Sequence, residues 1–272
     1  MFKRIIPIVV AGCLLLTSFV SASPSQNVNN ISEVQKVHRS VVQKNLAILN
    51  EEGQIVVNAN ADDLGISETL FDEYMGYMQS VNYCVKEGIA SFGKDLEVNM
   101  SSPEEYVEYL ENKPQYKIQD NLIVVSPFSD PAAPPKNVIA LARLDRALLE
   151  EFYAETLRAY LYAGSTSPAT LAYGAAVGYF IDKVKPGGAW DYKVVAGYSP
   201  WYTTFTCTFL NAVEIQNSAY IGNYVYGYTG RYLFSQTILL AGGDGVSIIT
   251  GKKPDGEDDK APIRRGYSEA GT

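Results

Sequence analysis

The sequence predicts an α+β protein, with a mostly helical N-terminal part and a C-terminal domain of two helices followed by a Gly/Tyr-rich mixed region with short strands. Three observations lead there. Apolar residues recur at helical spacing in successive segments. Pro127, Pro131, Pro134 and Pro135 fall within nine residues and mark a stiff, extended connection. Beyond it the composition changes, and thirteen of the twenty tyrosines lie between Tyr153 and Tyr232. The expected organisation is therefore a segment 1–22, a helical region 23–126, a Pro-rich linker 127–137 and a domain 138–272.

The chain begins Met1-Phe2-Lys3-Arg4, continues with the apolar run Ile5 to Val20, and reaches Ser21-Ala22-Ser23-Pro24. Cations, a short apolar stretch and small residues are the parts of a secretory signal. Val20 and Ala22 suit the −3 and −1 positions of a signal peptidase, so residues 1–22 are expected to be removed and the mature protein secreted. The run is shorter than the roughly 20 residues that span a bilayer. Val10-Ala11-Gly12-Cys13 also resembles a lipoprotein box, but the apolar run continues through Leu14, Leu15 and Leu16. No later stretch approaches spanning length. The longest, Ala169 to Ile181, is broken by Gly174 and Gly178, so no stable membrane insertion is expected.

Ser32 and Gln35 form a capping-box pattern ahead of Val34, Val37, Val41 and Leu49, a helical stripe. Gln54 to Val57 reads as a short strand. Ser67 opens a second helix with Leu70, Phe71, Tyr74, Met78, Val81, Cys84 and Val85 on one side. Ser102-Pro103-Glu104-Glu105 combines a cap, a first-position proline and acids in the first turn, and Lys113-Pro114 ends that helix. Leu122 to Val125 reads as a strand. A long helix is expected from Val138 to about Ala163, and Ser167-Pro168 caps another reaching Val184.

The formal net charge of −8 argues against a stationary grip on nucleic acid, which needs a basic footprint, while leaving brief enzymatic contact open. Loss of the signal would leave Cys84 and Cys207, either as one disulfide or as two buried thiols. No Cys/His cluster exists for structural zinc. The single histidine, His38, sits on the first helix and reads as a surface or boundary residue. Histidine-based nuclease, Ser-His-Asp, Cys-His and zinc chemistries therefore lack their usual base or ligand. Chemistry here must rest on carboxylates, lysine, tyrosine or an oxygen-ligated metal.

Three segments are dense in such groups. Lys185-Pro186-Gly187-Gly188-Ala189-Trp190-Asp191-Tyr192-Lys193 is a sharp stop followed by alternating aromatic and charged residues. In an extended chain Asp191 and Lys193 share one face and Trp190 shares the other with Tyr192, which makes the segment an acid/base pair, a grip on a sugar or base, or a turn with an ordinary surface ion pair. Gly222-Asn223-Tyr224-Val225-Tyr226-Gly227-Tyr228-Thr229-Gly230 would as a strand put Tyr224, Tyr226 and Tyr228 on one side, as a stacking platform or as core rings. Asp255-Gly256-Glu257-Asp258-Asp259-Lys260 is either a solvated charge run or an oxygen site for a divalent cation at Asp258 and Asp259. Glu214, between Val213 and Ile215, is a lone carboxylate whose pKa burial would raise.

In this order the three segments resemble the bacterial toxin 44 family (polymorphic toxin type 44). The resemblance rests on Gly187 to Lys193, on the Gly-Asn-aromatic-x-aromatic-Gly-x-Thr-Gly string Gly222 to Gly230, on Ile238-Leu239-Leu240-Ala241-Gly242, on Asp258-Asp259, and on Ile263-x-x-Gly266. It covers about Val138 to Tyr267. The family tends to carry a glutamine after the Ala-Gly step, where this chain reads Gly243-Asp244-Gly245, and Asp-Asp-Pro plus a further Asp, where it reads Asp258-Asp259-Lys260-Ala261-Pro262.

The resemblance implies an exported toxin used in bacterial competition, neutralised by an immunity protein, with a hydrolase domain acting on RNA or peptidoglycan. The matching positions are Asp191, Lys193, Asn223, Asp258 and Asp259. The expected roles are Asp191 as general acid or base, Lys193 holding substrate charge, Asp258 and Asp259 as a second carboxylate or cation site, and Trp190, Asn223, Tyr224 and Tyr226 binding substrate. No cofactor is expected beyond such a cation. The alternative is a secreted, non-enzymatic cell-surface or glycan-binding protein on the same scaffold. A membrane-active toxin using Ala169 to Ile181 is a third reading.

Overall fold

The computed structural model describes residues 28–113, 133–249 and 256–272. The signal segment, most of the Pro-rich stretch, the strand expected at Leu122 to Val125, and Asp255 lie outside the described residues. The described chain is α+β with mostly helical content. It divides into two compact units, one comprising the residues up to Asn112 with Glu151–Gly178, the other Lys113–Glu150 with Tyr179–Thr272. The boundaries fall after Asn112 and, within two long helices, after Glu150 and after Gly178.

The first unit contains α1 (Val28–Gln43), the hairpin β1 (Ala47–Leu49) and β2 (Ile55–Val57), the short α2 (Ala61–Leu64), α3 (Glu68–Lys86), the hairpin β3 (Ala90–Phe92) and β4 (Val98–Met100), and α4 (Pro103–Asn112). Helix α1 begins before Ser32, so the expected capping box lies within it, and Leu49 belongs to β1. Ser67 does cap α3, accepting from Leu70 N at 3.3 Å. Ser102 and Glu105 cap α4 reciprocally: the Ser102 hydroxyl accepts from Glu105 N at 3.2 Å and the Glu105 carboxylate from Ser102 N at 2.7 Å. Val34, Val37, Val41, Tyr74, Met78, Val81, Cys84, Ile89 and Phe152 are buried at the centre.

His38 is not a surface residue. It is buried, with Nδ1 3.2 Å from the Tyr74 hydroxyl and Nε2 2.9 Å from the Leu96 carbonyl. Burial lowers its pKa, against the Leu96 hydrogen bond.

The second unit holds a three-stranded sheet in the order β5–β6–β7. Strand β5 (Pro135–Asn137) runs parallel to β6 (Thr204–Thr208), which pairs antiparallel with β7 (Val213–Asn217). The end of the Pro-rich stretch is thus a strand that continues into α5 (Val138–Tyr162). Helix α6 (Pro168–Val184) ends before the Pro-Gly-Gly turn. Helices α7 (Ser218–Gly230), α8 (Gln236–Ile249) and α9 (Glu257–Glu269) complete the unit. The Gly/Tyr string is therefore a helix, not a strand. Asn217 caps it, accepting from Tyr220 N at 2.9 Å.

Glycine explains how α7 and α9 meet. A Cβ at Gly227 would stand 2.2 Å from the Ile263 carbonyl oxygen, and one at Gly266 would stand 2.0 Å from that of Tyr224. Neither helix tolerates even a methyl group at the crossing, so the two backbones are in direct contact. No helix among the described residues is long and apolar enough to cross a membrane. Cys84, in the first unit, and Cys207, in the second, are each free and buried. Burial pushes their pKa values up to about 12 and about 11.

Candidate functional site

The turn after α6 is built from glycine requirements. Gly187 has φ +80°, and a Cβ on Gly188 would lie 2.3 Å from the Lys183 carbonyl oxygen. Gly188 N donates to Lys185 O at 2.7 Å, Trp190 N to Lys183 O at 2.8 Å and Val194 N to Asp191 O at 2.9 Å. Residues 190–193 therefore form successive turns, not the extended segment expected. Burial still alternates as the residue types demand. Trp190 and Tyr192 are buried, while Asp191 and Lys193 are half-buried.

Trp190 is a core residue rather than a substrate contact. Its ring centroid lies 5.9 Å from that of Tyr179 and 6.4 Å from that of Phe180, both near edge-to-face. The Asp191 carboxylate accepts from Gly187 N at 2.9 Å, which closes the turn on itself.

The tyrosine platform is also absent. On a helix Tyr224 and Tyr228 stack four residues apart, at 6.1 Å between centroids, and Tyr226 faces away from them. Tyr224 is 0% exposed and its hydroxyl donates to Glu269 at 2.7 Å. Tyr226 is half-buried against Phe180, at 5.5 Å, and donates to Leu239 O at 3.1 Å. These rings hold α7 in place and cannot stack on a ligand without unpacking it.

Other expected residues do come together. Asn223 Nδ2 donates to Asp259 Oδ1 at 2.8 Å, joining α7 to the first turn of α9. One residue away, the position of a Cβ on Gly222 lies 3.9 Å from Lys193 Cγ and from the Tyr192 backbone nitrogen. The Trp-Asp-Tyr-Lys turn thus packs against α7 beside Asn223. Asp258 is exposed, and with Glu257 and Asp259 it occupies the first turn of α9, where carboxylates favour the helix N-terminus. Among the described residues no three His, Cys, Asp or Glu side chains gather as a metal-binding group.

Glu214 has a lowered pKa, the reverse of the expectation. Arg265 donates to it from α9 and the attraction of that guanidinium adds to the effect, against some desolvation. Arg265 also donates to Glu269 at 2.8 Å and to the Tyr220 hydroxyl at 3.1 Å, and it lies 4.1 Å from the Phe209 ring centroid. Burial works against ionisation of Glu269, but bonds from Arg265, Tyr224 and Leu210 N hold its carboxyl below the usual range. This network ties the sheet to α7 and α9.

No protein-family model matches the chain, and neither the curated proteins nor the solved structures contain a match.

One further group escaped the sequence reading. Asp145, on α5, is 3% exposed and accepts from the Tyr192 hydroxyl at 2.7 Å. Burial raises its pKa to about 7, with the Tyr192 hydrogen bond and the Lys183 charge opposing. Its spacing carried the signal: Asp145 lies three residues after Ala142, four before Leu149 and seven before Phe152, all fully buried. A carboxylate on that stripe has to be buried too.

Proposed function

We propose that the chain is an exported antibacterial toxin of the toxin 44 type, with a carboxylate-dependent hydrolase in its C-terminal residues that acts on RNA or peptidoglycan. The observation that carries this reading is the 2.8 Å bond between Asn223 and Asp259, two residues of the resemblance that are 36 positions apart. Lys193, a third, has its stem over the neighbouring Gly222. In this assignment the Asn223 amide orients the Asp259 carboxylate as acid or base. Lys193 supplies positive charge for a phosphate or a developing oxyanion. Asp258 is the accessible second carboxylate, and Asp191 shapes the turn from which Lys193 projects. Export rests on residues 1–22, and an immunity protein is the expected partner.

Residues 23–272 expressed in the bacterial cytoplasm, and separately with an export signal, test the assignment. Killing confined to the cytoplasm indicates RNA or another internal target, and killing confined to the periplasm indicates the wall. Asp259→Asn and Asp191→Ala should each abolish toxicity in a folded protein. Undiminished toxicity in both variants, or none from the parent in either compartment, refutes the hydrolase.

A second reading, the secreted glycan binder, is favoured by a different aromatic pair. Trp201 and Tyr202 are 58% and 62% exposed, with centroids 5.5 Å apart. Their turn is fixed by hydrogen bonds from Ala219 N to Trp201 O and from Ser218 N to Thr203 O, each 3.0 Å. Exposed rings on an anchored backbone suit sugar faces. Co-sedimentation with purified peptidoglycan that is lost in Trp201→Ala but kept in Asp259→Asn would establish it.

A further inference from the structure

Tyr192 stands between Asp191 and Lys193, and its side chain leaves the turn inward. It is 4% exposed, and its ring lies 5.0 Å from that of Tyr198. Its hydroxyl reaches Asp145, and its backbone touches the Gly222 position beside Asn223. The groups facing Asp145 are Tyr192, Tyr198 and Lys183. A continuous path therefore runs from a buried carboxyl on α5, through one phenol, to the turn that carries Asp191 and Lys193 and that packs against α7 beside Asn223.

We propose that Asp145 is the positioning residue of this site: its carboxyl accepts the Tyr192 hydroxyl and thereby fixes the turn carrying Asp191 and Lys193 against α7. This rests on the functional assignment of those residues above. A buried carboxyl–phenol pair is a poor device for stability alone, because replacing both partners by apolar residues of similar volume usually serves as well or better. The geometry it imposes is another matter. The 2.7 Å bond is directional and sets how far Tyr192 enters, which a leucine in the same space does not. Asparagine keeps an acceptor oxygen at the same place.

The chain contains two tryptophans, and one of them reports on the turn. In a Trp201→Phe background Trp190, two residues from Tyr192, is the sole tryptophan and the only emitter under excitation selective for indole. Introduced there in residues 23–272, Asp145→Leu and Tyr192→Phe each leave a buried polar partner unsatisfied and should lower the melting temperature, whereas the double variant, which removes both partners, should regain it. The two single variants should also raise acrylamide quenching of Trp190 about twofold or more. Asp145→Asn should match its parent in quenching. Toxicity, scored in parallel, should fall in Asp145→Leu and Tyr192→Phe and be rescued in Asp145→Asn. The double variant Asp145→Leu/Tyr192→Phe should be no worse than either single.

Unchanged quenching in both Asp145→Leu and Tyr192→Phe overturns the proposal. So does a loss in Asp145→Asn as large as in Asp145→Leu. Quenching that changes as expected in a chain without toxicity retains Asp145 as the determinant of the turn and removes the hydrolase assignment instead.

Discussion

Two glycines on the same helix should respond to alanine with opposite signs. At Gly227 the new methyl would stand 2.2 Å from the Ile263 carbonyl oxygen and 2.9 Å from its carbonyl carbon and Cα. Ordinary contact begins near 3.4 Å, so α7 and α9 must separate by about an ångström, and the atoms in the way are backbone that cannot rotate aside. Overpacking of this kind costs about 3 kcal/mol at the upper end of its range. The intrinsic helical advantage of alanine over glycine offsets about 1 kcal/mol. The net destabilisation is about 2 kcal/mol, or a melting temperature lower by about 4–8 °C for a chain of this size. At Gly222 the methyl meets its nearest neighbours at 3.9 Å, so only the helical gain remains, about 0.5–1 kcal/mol of stabilisation. Circular dichroism melts of residues 23–272 measure both. A Gly227→Ala protein as stable as its parent would refute the backbone-contact account of the crossing.

Further outcomes follow from the charged and buried groups. Arg265→Ala leaves Glu214 and Glu269 without their cation and should cost about 2–3 kcal/mol, with Arg265→Lys recovering only part, read from urea midpoints. The Asp145 carboxyl is protonated more readily folded than unfolded, so its contribution is fully present below pH 4 and is lost as pH rises towards 7. Across about three pH units this amounts to at most about 4 kcal/mol, and it should vanish from the stability profile of Asp145→Asn. His38 acts in the opposite sense: its lowered pKa makes stability rise with pH up to the unfolded value near 6.5. His38→Gln should flatten that rise. With thiol pKa values near 12 and 11, Cys84 and Cys207 should resist a disulfide-exchange reagent at pH 8 in the native protein. Both should react after denaturation. Rapid native labelling of either would contradict its burial.

Caps and periodicity were legible in the sequence because they act locally. Ser67, Ser102, Pro103 and Pro168 set helix boundaries through their own hydrogen bonds and ring geometry, and the structure uses each where expected. The Tyr-x-Tyr-x-Tyr string misleads because its period of two extends over only five residues. The α7 helix spans thirteen, and its cap, Asn217, lies before the string began. Asp145 was missed for another reason. Charged residues are normally exposed, and what overrides that default is a phenol 47 positions away, a partner that no window of sequence contains.

The same contrast separates the residues of the resemblance into two kinds. Gly227, Gly230, Gly266, Trp190 and Tyr224 are fixed by contact: each is buried where a larger or smaller side chain collides or leaves a void. Packing alone accounts for them, so they carry no argument for chemistry. Asn223, Asp259, Lys193 and Asp258 are different. They are half-buried or exposed, and no core requires an amide bonded to a carboxylate with a lysine stem packed one residue away. If the string were only a recipe for joining α7 to α9, replacing Asn223 and Asp259 together by leucine would shift stability by no more than about 1 kcal/mol and change nothing else. The hydrolase assignment demands that the same double variant fold and fail to kill, and the two expectations part on that one measurement.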